Sequence, residues 1–153
     1  MTITIRDARR GDVDAIAGRL RREDEQEVLT AGHASGHAAL LDSFDRSTMC
    51  FCVDIDGHTA AMWGIVPESY VGMSAVVWLL GTPEMARIKK TFVKLSRRFV
   101  RDFLTLYPVL YNVVDSRYGA AVRWLMAIGA DFYGEPVKAN GVEFLRFEFR
   151  RVS

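Results

Sequence analysis

The chain has 153 residues, half of them hydrophobic and a quarter charged, with a net charge of +1, the composition of a globular domain that buries about 70% of its unfolded surface without staples. No apolar run approaches the ~20 residues of a membrane span, and residues 1–7 lack the long apolar segment of a secretory signal, so a cytoplasmic protein with no membrane partner is expected. Charge is uneven, with 7 basic and 12 acidic groups in residues 1–76 against 13 and 7 in residues 77–153, which suggests a partner-facing surface.

Ile3 and Ile5 alternate with polar residues and predict a first strand. Asp12 is placed to cap a helix that carries Val13, Ile16 and Leu20 on one face. Charges crowd from residue 22 to 27, then Gly32, Ser35 and Gly36 interrupt the spacing before Leu40, Leu41 and Phe44 resume it. Two short helices with a joint are expected here. Met49, Phe51, Val53 and Ile55 alternate strictly, and Asp56-Gly57 predicts a hairpin with positive φ at both central residues. The partner strand covers about residues 59–66. Cys50 and Cys52 share a face of the first hairpin strand, too close for a disulfide and without C-x-x-C spacing, so two small structural thiols are expected.

The continuous apolar run 75–80 reads as a strand covered on both faces. A long helix is predicted from residue 83 to about 107, with Pro83 in its first turn, where a missing N–H costs nothing. Met85, Ile88, Phe92, Leu95, Phe99, Phe103 and Leu106 form its apolar stripe. Arg87, Lys90, Lys94, Arg97 and Arg101 step by three or four residues and line another face. That face is either a solvated surface or a contact for an anionic partner; no aromatic residue interleaves with it, so phosphate attraction without base stacking is what it supports.

Residues 109–114 predict a buried strand, and Ala120, Ala121, Trp124, Leu125 and Ile128 a helix that stops at Gly129 in the left-handed conformation. Asn140-Gly141 marks a last hairpin between strands near 131–138 and 142–150, and the shift of parity from Val142 and Phe144 to Phe147 and Phe149 predicts a bulge near Leu145. The order is β-α-α-β-β-β-α-β-α-β-β. It describes a mixed α/β (α+β) fold with a central sheet of about seven strands and about four helices, in a single domain over residues 1–153.

A strand feeding a helix that ends on Ile128-Gly129-Ala130, with Ile5-Arg6-x-Ala8 and Asp12 at the start, resembles the GNAT family of N-acetyltransferases over nearly the whole chain. More narrowly, Val77-Trp78-Leu-Leu-Gly81-Thr82, the basic run from Arg87 to Leu95 and Arg123-Trp124-Leu125-Met-Ala-Ile128-Gly129-Ala130 resemble the GNAT-like internal virion protein A family of short-tailed phages. The resemblance implies a phage or prophage source, a role in virion assembly or early infection with virion or host proteins as partners, and a place in the host cytoplasm or the virion. It also implies acetyl-CoA as cofactor, its pyrophosphate held by backbone amides at the start of the long helix. Gly81 and Thr82 are the candidates to begin that cradle, with Arg87 and Lys90 supplying charge.

Two departures from the family pattern stand out. The usual glycines of the phosphate loop are absent, Pro83 removes a donor and Glu84 places a negative charge where phosphates would lie. The tyrosine that in the family protonates the departing CoA thiolate falls at Leu125, which cannot transfer a proton; Tyr118 is the candidate substitute acid, with a structural phenol as the alternative. Glu68, in the loop after the third core strand, is the candidate base for an attacking amine, with Asp115 second to it and better explained as a helix cap. His33 and His37 stand four apart, but Gly32 and Gly36 oppose a regular helix and no third ligand is present, so no metal is expected. Two functions stay open: an N-acetyltransferase, or a GNAT-like protein that has lost catalysis and serves virion assembly or host interaction.

Overall fold

A computed structural model describes residues 1–69 and 72–152. Its strands are β1 (Ile3–Asp7), β2 (Met49–Ile55), β3 (His58–Pro67), β4 (Ser74–Gly81), β5 (Val109–Asp115), β6 (Asp131–Phe132), β7 (Val137–Ala139) and β8 (Val142–Arg150). The helices are α1 (Arg10–Ala17), α2 (Arg22–Thr30), α3 (Gly36–Arg46), α4 (Lys89–Leu106) and α5 (Gly119–Ala127), with a 3-10 helix at Pro83–Ile88. The hydrogen-bonded order is β1-β2-β3-β4-β5-β8-β6, with β7 also on β8. Strand β4 pairs β5 in parallel, whereas β1–β2, β2–β3, β5–β8, β6–β8 and β7–β8 are antiparallel.

The chain forms two compact units, residues 1–66 with 78–88, and residues 67–77 with the chain from 89 onward. In the first, α1 and α3 cover a core of Val13, Ile16, Leu40, Cys52, Met62 and Trp78, all buried. The Trp78 indole, apolar in body and polar at its tip, donates Nε1–H to Ser47 Oγ at 2.8 Å. Asp56 (φ 50°) and Gly57 (φ 82°) make the hairpin turn with positive φ at both centres. In the second unit, Phe92 of α4 stacks on Trp124 of α5 with centroids 6.0 Å apart, and Arg97 donates to the Ala127 carbonyl that ends α5. Gly129 (φ 99°) stops α5 in the left-handed conformation.

The segment 12–44 holds three helices, not two. Residues 22–30 form α2 because Glu23, Asp24 and Glu25 sit in its first turn, where the helix dipole favours acids. Asp12 lies at the third position of α1, accepting from the Arg9 amide at 2.7 Å, and is not the capping residue. The predicted strand 131–138 is divided into β6 and β7 by Gly134 (φ 68°) and Pro136, which gives eight strands in place of seven. No bulge occurs at Leu145: the β5–β8 register is continuous from Val109↔Arg150 to Asp115↔Phe144. Phe144 and the pair Phe147 and Phe149 are buried because both faces of β8 are covered. The irregularity lies elsewhere, between Val53 and Asp54.

Candidate functional site

The segment that joins β4 to α4 carries the predicted cofactor residues. Gly81 is buried, and its amide donates to Asp24 Oδ2 at 2.8 Å. Arg21 donates Nε–H to the same carboxylate oxygen at 2.9 Å and its amide to the Gly81 carbonyl at 2.8 Å. Burial pushes the Asp24 carboxyl up, against the pull of Arg21 and the Gly81 amide. A Cβ at Gly81 would lie 3.2 Å from Met85 Cγ and 3.4 Å from Ala61 Cβ, so packing suffices to explain this glycine. Thr82 is fully buried, and both its amide and its hydroxyl donate to the Ala60 carbonyl, at 2.8 and 2.9 Å.

Pro83 begins the 3-10 helix, not the α-helix predicted there. That helix runs to Ile88 and α4 begins at Lys89 with no residue between. Glu84 accepts from Arg19 Nη1 at 3.0 Å, while Arg87 donates to Asp56 Oδ2 at 3.2 Å. Of the four predicted cofactor residues, Lys90 is the one that is exposed and, among the described residues, without an ion pair. These residues do not fit a pyrophosphate between Gly81 and Glu84: two amides are taken, a third is absent, and a carboxylate follows.

The predicted catalytic residues lie in the second unit. Glu68 is exposed and accepts from the Tyr111 hydroxyl at 3.1 Å. Burial, then the Glu68 carboxylate, raise the Tyr111 phenol above its ordinary value. Tyr111 is the partner that the sequence did not flag; its place in the run 109–114 marked it as a strand residue and nothing more. Tyr118 occupies the position before α5, and the Arg117 guanidinium lies 5.7 Å from the centroid of its ring. Leu125 is buried in α5. Asp115 does not cap α5: its Oδ1 accepts from the Arg117 amide at 2.9 Å and its Oδ2 from Arg117 Nη2 at 2.7 Å. Arg117 holds the Asp115 carboxyl below the usual carboxylate range, which makes it a weak base.

Asn112, also on β5, is a further residue the sequence did not flag. The β4–β5 ladder pairs only Ser74, Ala75 and Val76 with Val109, Leu110 and Tyr111. Beyond it, Asn112 Nδ2 donates to the Val77 carbonyl at 2.7 Å and its Oδ1 accepts from the Val113 amide at 2.7 Å. A side-chain amide therefore takes up the hydrogen bonding where the ladder stops.

The other candidates carry little chemistry. His33 and His37 do not share a helix, since α3 starts at Gly36, and His37 Nε2 meets Asp14 Oδ1 at 2.8 Å. No group of three metal-ligating side chains occurs among the described residues. Cys50 and Cys52 are free; burial, then the Asp12 carboxylate, push both thiols up, Cys50 to about 12. A shallow groove of about 520 Å³ lined by Asp7, Phe44, Thr48, Met49 and Phe51 contains none of the predicted site residues. No helix among the described residues is long and apolar enough to cross a membrane.

Solved structures decide the fold. The ribosomal-protein-S18-alanine N-acetyltransferase from Escherichia coli matches 97% of this chain and 94% of its own at TM-score 0.69 and 14% identity. The spermidine N-acetyltransferase from Vibrio cholerae, in complex with CoA and spermine, matches 97% and 95% at TM-score 0.68 and 17% identity. An acetyltransferase of the GNAT family from Streptococcus pneumoniae matches 97% and 99% at TM-score 0.67 and 11% identity. The fold is that of the GNAT N-acetyltransferases. No family model and no curated protein matches by sequence. At such identities the GNAT likeness is one of backbone path, and the chemistry rests on the residues themselves.

The charges of this GNAT fold are arranged unevenly. Arg6, Arg10, Arg19, Arg21, Arg46, Arg87, Arg117 and Arg150 each meet a carboxylate. On α4 the case is different: among the described residues, Lys89, Lys90, Lys94, Arg98 and Arg101 are exposed and none is ion-paired. Arg97 is tied to the Ala127 carbonyl through Nε and Nη2, at 3.1 and 2.8 Å.

Proposed function

We propose that this chain is a phage-encoded protein of GNAT descent, of the internal-virion type, in which acetyl-CoA-dependent N-acetyl transfer is weak or lost. It works by binding virion or host proteins, in the host cytoplasm and the virion. The observation that carries this reading is the segment after β4, where the Gly81 and Thr82 amides already bond to Asp24 and Ala60 and Pro83 has none to give. A pyrophosphate would have to displace a buried carboxylate that bridges Gly81 and Arg21. Leu125, at the family's acid position, cannot protonate the departing thiolate.

One observation favours a second reading, a working acetyltransferase. Glu68 is exposed beside the Tyr111 phenol, so it has a carboxylate oxygen available to accept a proton from an attacking amine. In this reading Tyr118 is the acid, and Arg87 and Lys90 draw in the phosphates. The experiment follows thiol release from acetyl-CoA in the presence of spermidine or of a peptide with an N-terminal alanine. The first reading expects a rate at or little above the protein-free control and unchanged in Glu68→Gln. A rate that falls in Glu68→Gln would establish the second; a rate unchanged in that variant would remove Glu68 from it.

A further inference from the structure

The apolar and basic sides of α4 lie opposite each other. At 100° per residue, Lys90, Lys94, Arg98 and Arg101 fall within an arc of about 80°, and Phe92, Phe99 and Phe103 centre on the opposite side. Phe92, Ser96 and Phe103 are buried, and the four cations are exposed. Lys90 and Lys94, and Lys94 and Arg98, are like-charge neighbours four apart, an arrangement that destabilises a helix. Asp102, the only acid on α4, stands four residues after Arg98 but forms no ion pair among the described residues. The chain thus keeps a repulsive row of exposed cations without an ion pair among the described residues, the kind of local conflict expected at a working surface.

We infer that this face of α4 binds the phosphate backbone of duplex nucleic acid without reading sequence. The four cations extend over about 16 Å of helix at 1.5 Å per residue, a row suited to a line of phosphates. The arc holds no large apolar side chain, so it lacks the apolar centre of a protein–protein interface. It also carries no aromatic residue to stack on unpaired bases and no Asn or Gln to read base edges. What remains is charge alone, whose partner is a dense polyanion. The inference does not depend on whether acetyl-CoA binds.

Fluorescence anisotropy with two unrelated 20-bp DNA duplexes tests it. Four phosphate contacts predict a slope of log affinity against log salt of about −3.6, hence a loss of roughly a hundredfold between 50 and 200 mM salt. The two duplexes should bind within a few-fold of each other. Lys94→Glu with Arg98→Glu should weaken binding by more than tenfold and halve the slope, while the midpoint of thermal unfolding stays the same or rises; Lys94→Gln with Arg98→Gln should show the same direction with a smaller loss. Overturning results are no binding at 50 mM salt, binding unaffected by either double variant, or equal competition by polyglutamate, which would make an acidic protein the partner. Displacement of the duplex by millimolar acetyl-CoA would also overturn it, by placing the row in cofactor binding.

Discussion

In the first unit Arg6 donates to Asp12, Asp54 and Thr59 at 2.8 to 3.2 Å, and Arg21 with the Gly81 amide closes on the buried Asp24. On α4 a comparable density of charge stands unpaired in water. The same residue types serve opposite ends: one set is consumed in holding loops to strands, the other is left available. A half-buried charge is retained only with its partners, whereas an exposed one costs little beyond repulsion from its neighbours. A map of ion pairs therefore separates structural charge from charge open to a partner better than net charge does.

The largest effect that would break this contrast is at Asp24. Replacing it with Ala strips the Gly81 amide and the Arg21 guanidinium of their common acceptor, and a loss of about 3 kcal/mol is expected in urea unfolding. A loss under 0.5 kcal/mol would mean that the carboxylate is not what secures this segment. Arg6→Met comes next, at about 2 kcal/mol, because it leaves Asp12 and Asp54 without their shared donor.

The Arg6 variant also has a pH signature. Hydrogen bonding from Arg6 is the main cause that lowers the Asp12 carboxyl below its ordinary value. A folded value below the unfolded one adds stability above the usual carboxylate range, and that stability is lost as pH falls from ~4 through the lowered value. The unaltered protein should lose this share of its stability under acid, and Arg6→Met should show a flatter acid limb. The smallest effect is on α4: Lys94→Glu exchanges two repulsive i,i+4 pairs for attractive ones and should stabilise by about 0.5–1 kcal/mol. Destabilisation by more than 1 kcal/mol would show that Lys94 has a structural role.

The elements that define the fold were legible because their signals are local. Asp56-Gly57, Asn140-Gly141 and Gly129 announce positive φ at the positions where it occurs, and β2 and the apolar side of α4 follow simple periods. The division of 131–138 was less legible, as Gly134 and Pro136 break a strand whose flanks still read as one. The candidate site was legible as residue types but not as partners. Gly81 and Asp24 are 57 residues apart, and Glu68 and Tyr111 are 43 apart, and no spacing rule reveals that a distant carboxylate occupies an amide. Pro83 correctly announced a helix start; that its first turns are 3-10 depends on the Thr82 carbonyl accepting from Met85.

With the Gly81 and Thr82 amides bonded to Asp24 and Ala60, the turn after β4 should not bind a CoA pyrophosphate. Thermal unfolding with and without millimolar acetyl-CoA tests it most directly, since a ligand at 100 times its dissociation constant adds about 2.7 kcal/mol. For a chain of this size that would raise the midpoint by roughly 5–10 °C. No rise is expected, either in the unaltered protein or in Lys94→Glu. A rise of several degrees with acetyl-CoA would contradict it and show that the Gly81 and Thr82 amides are released to hold the cofactor.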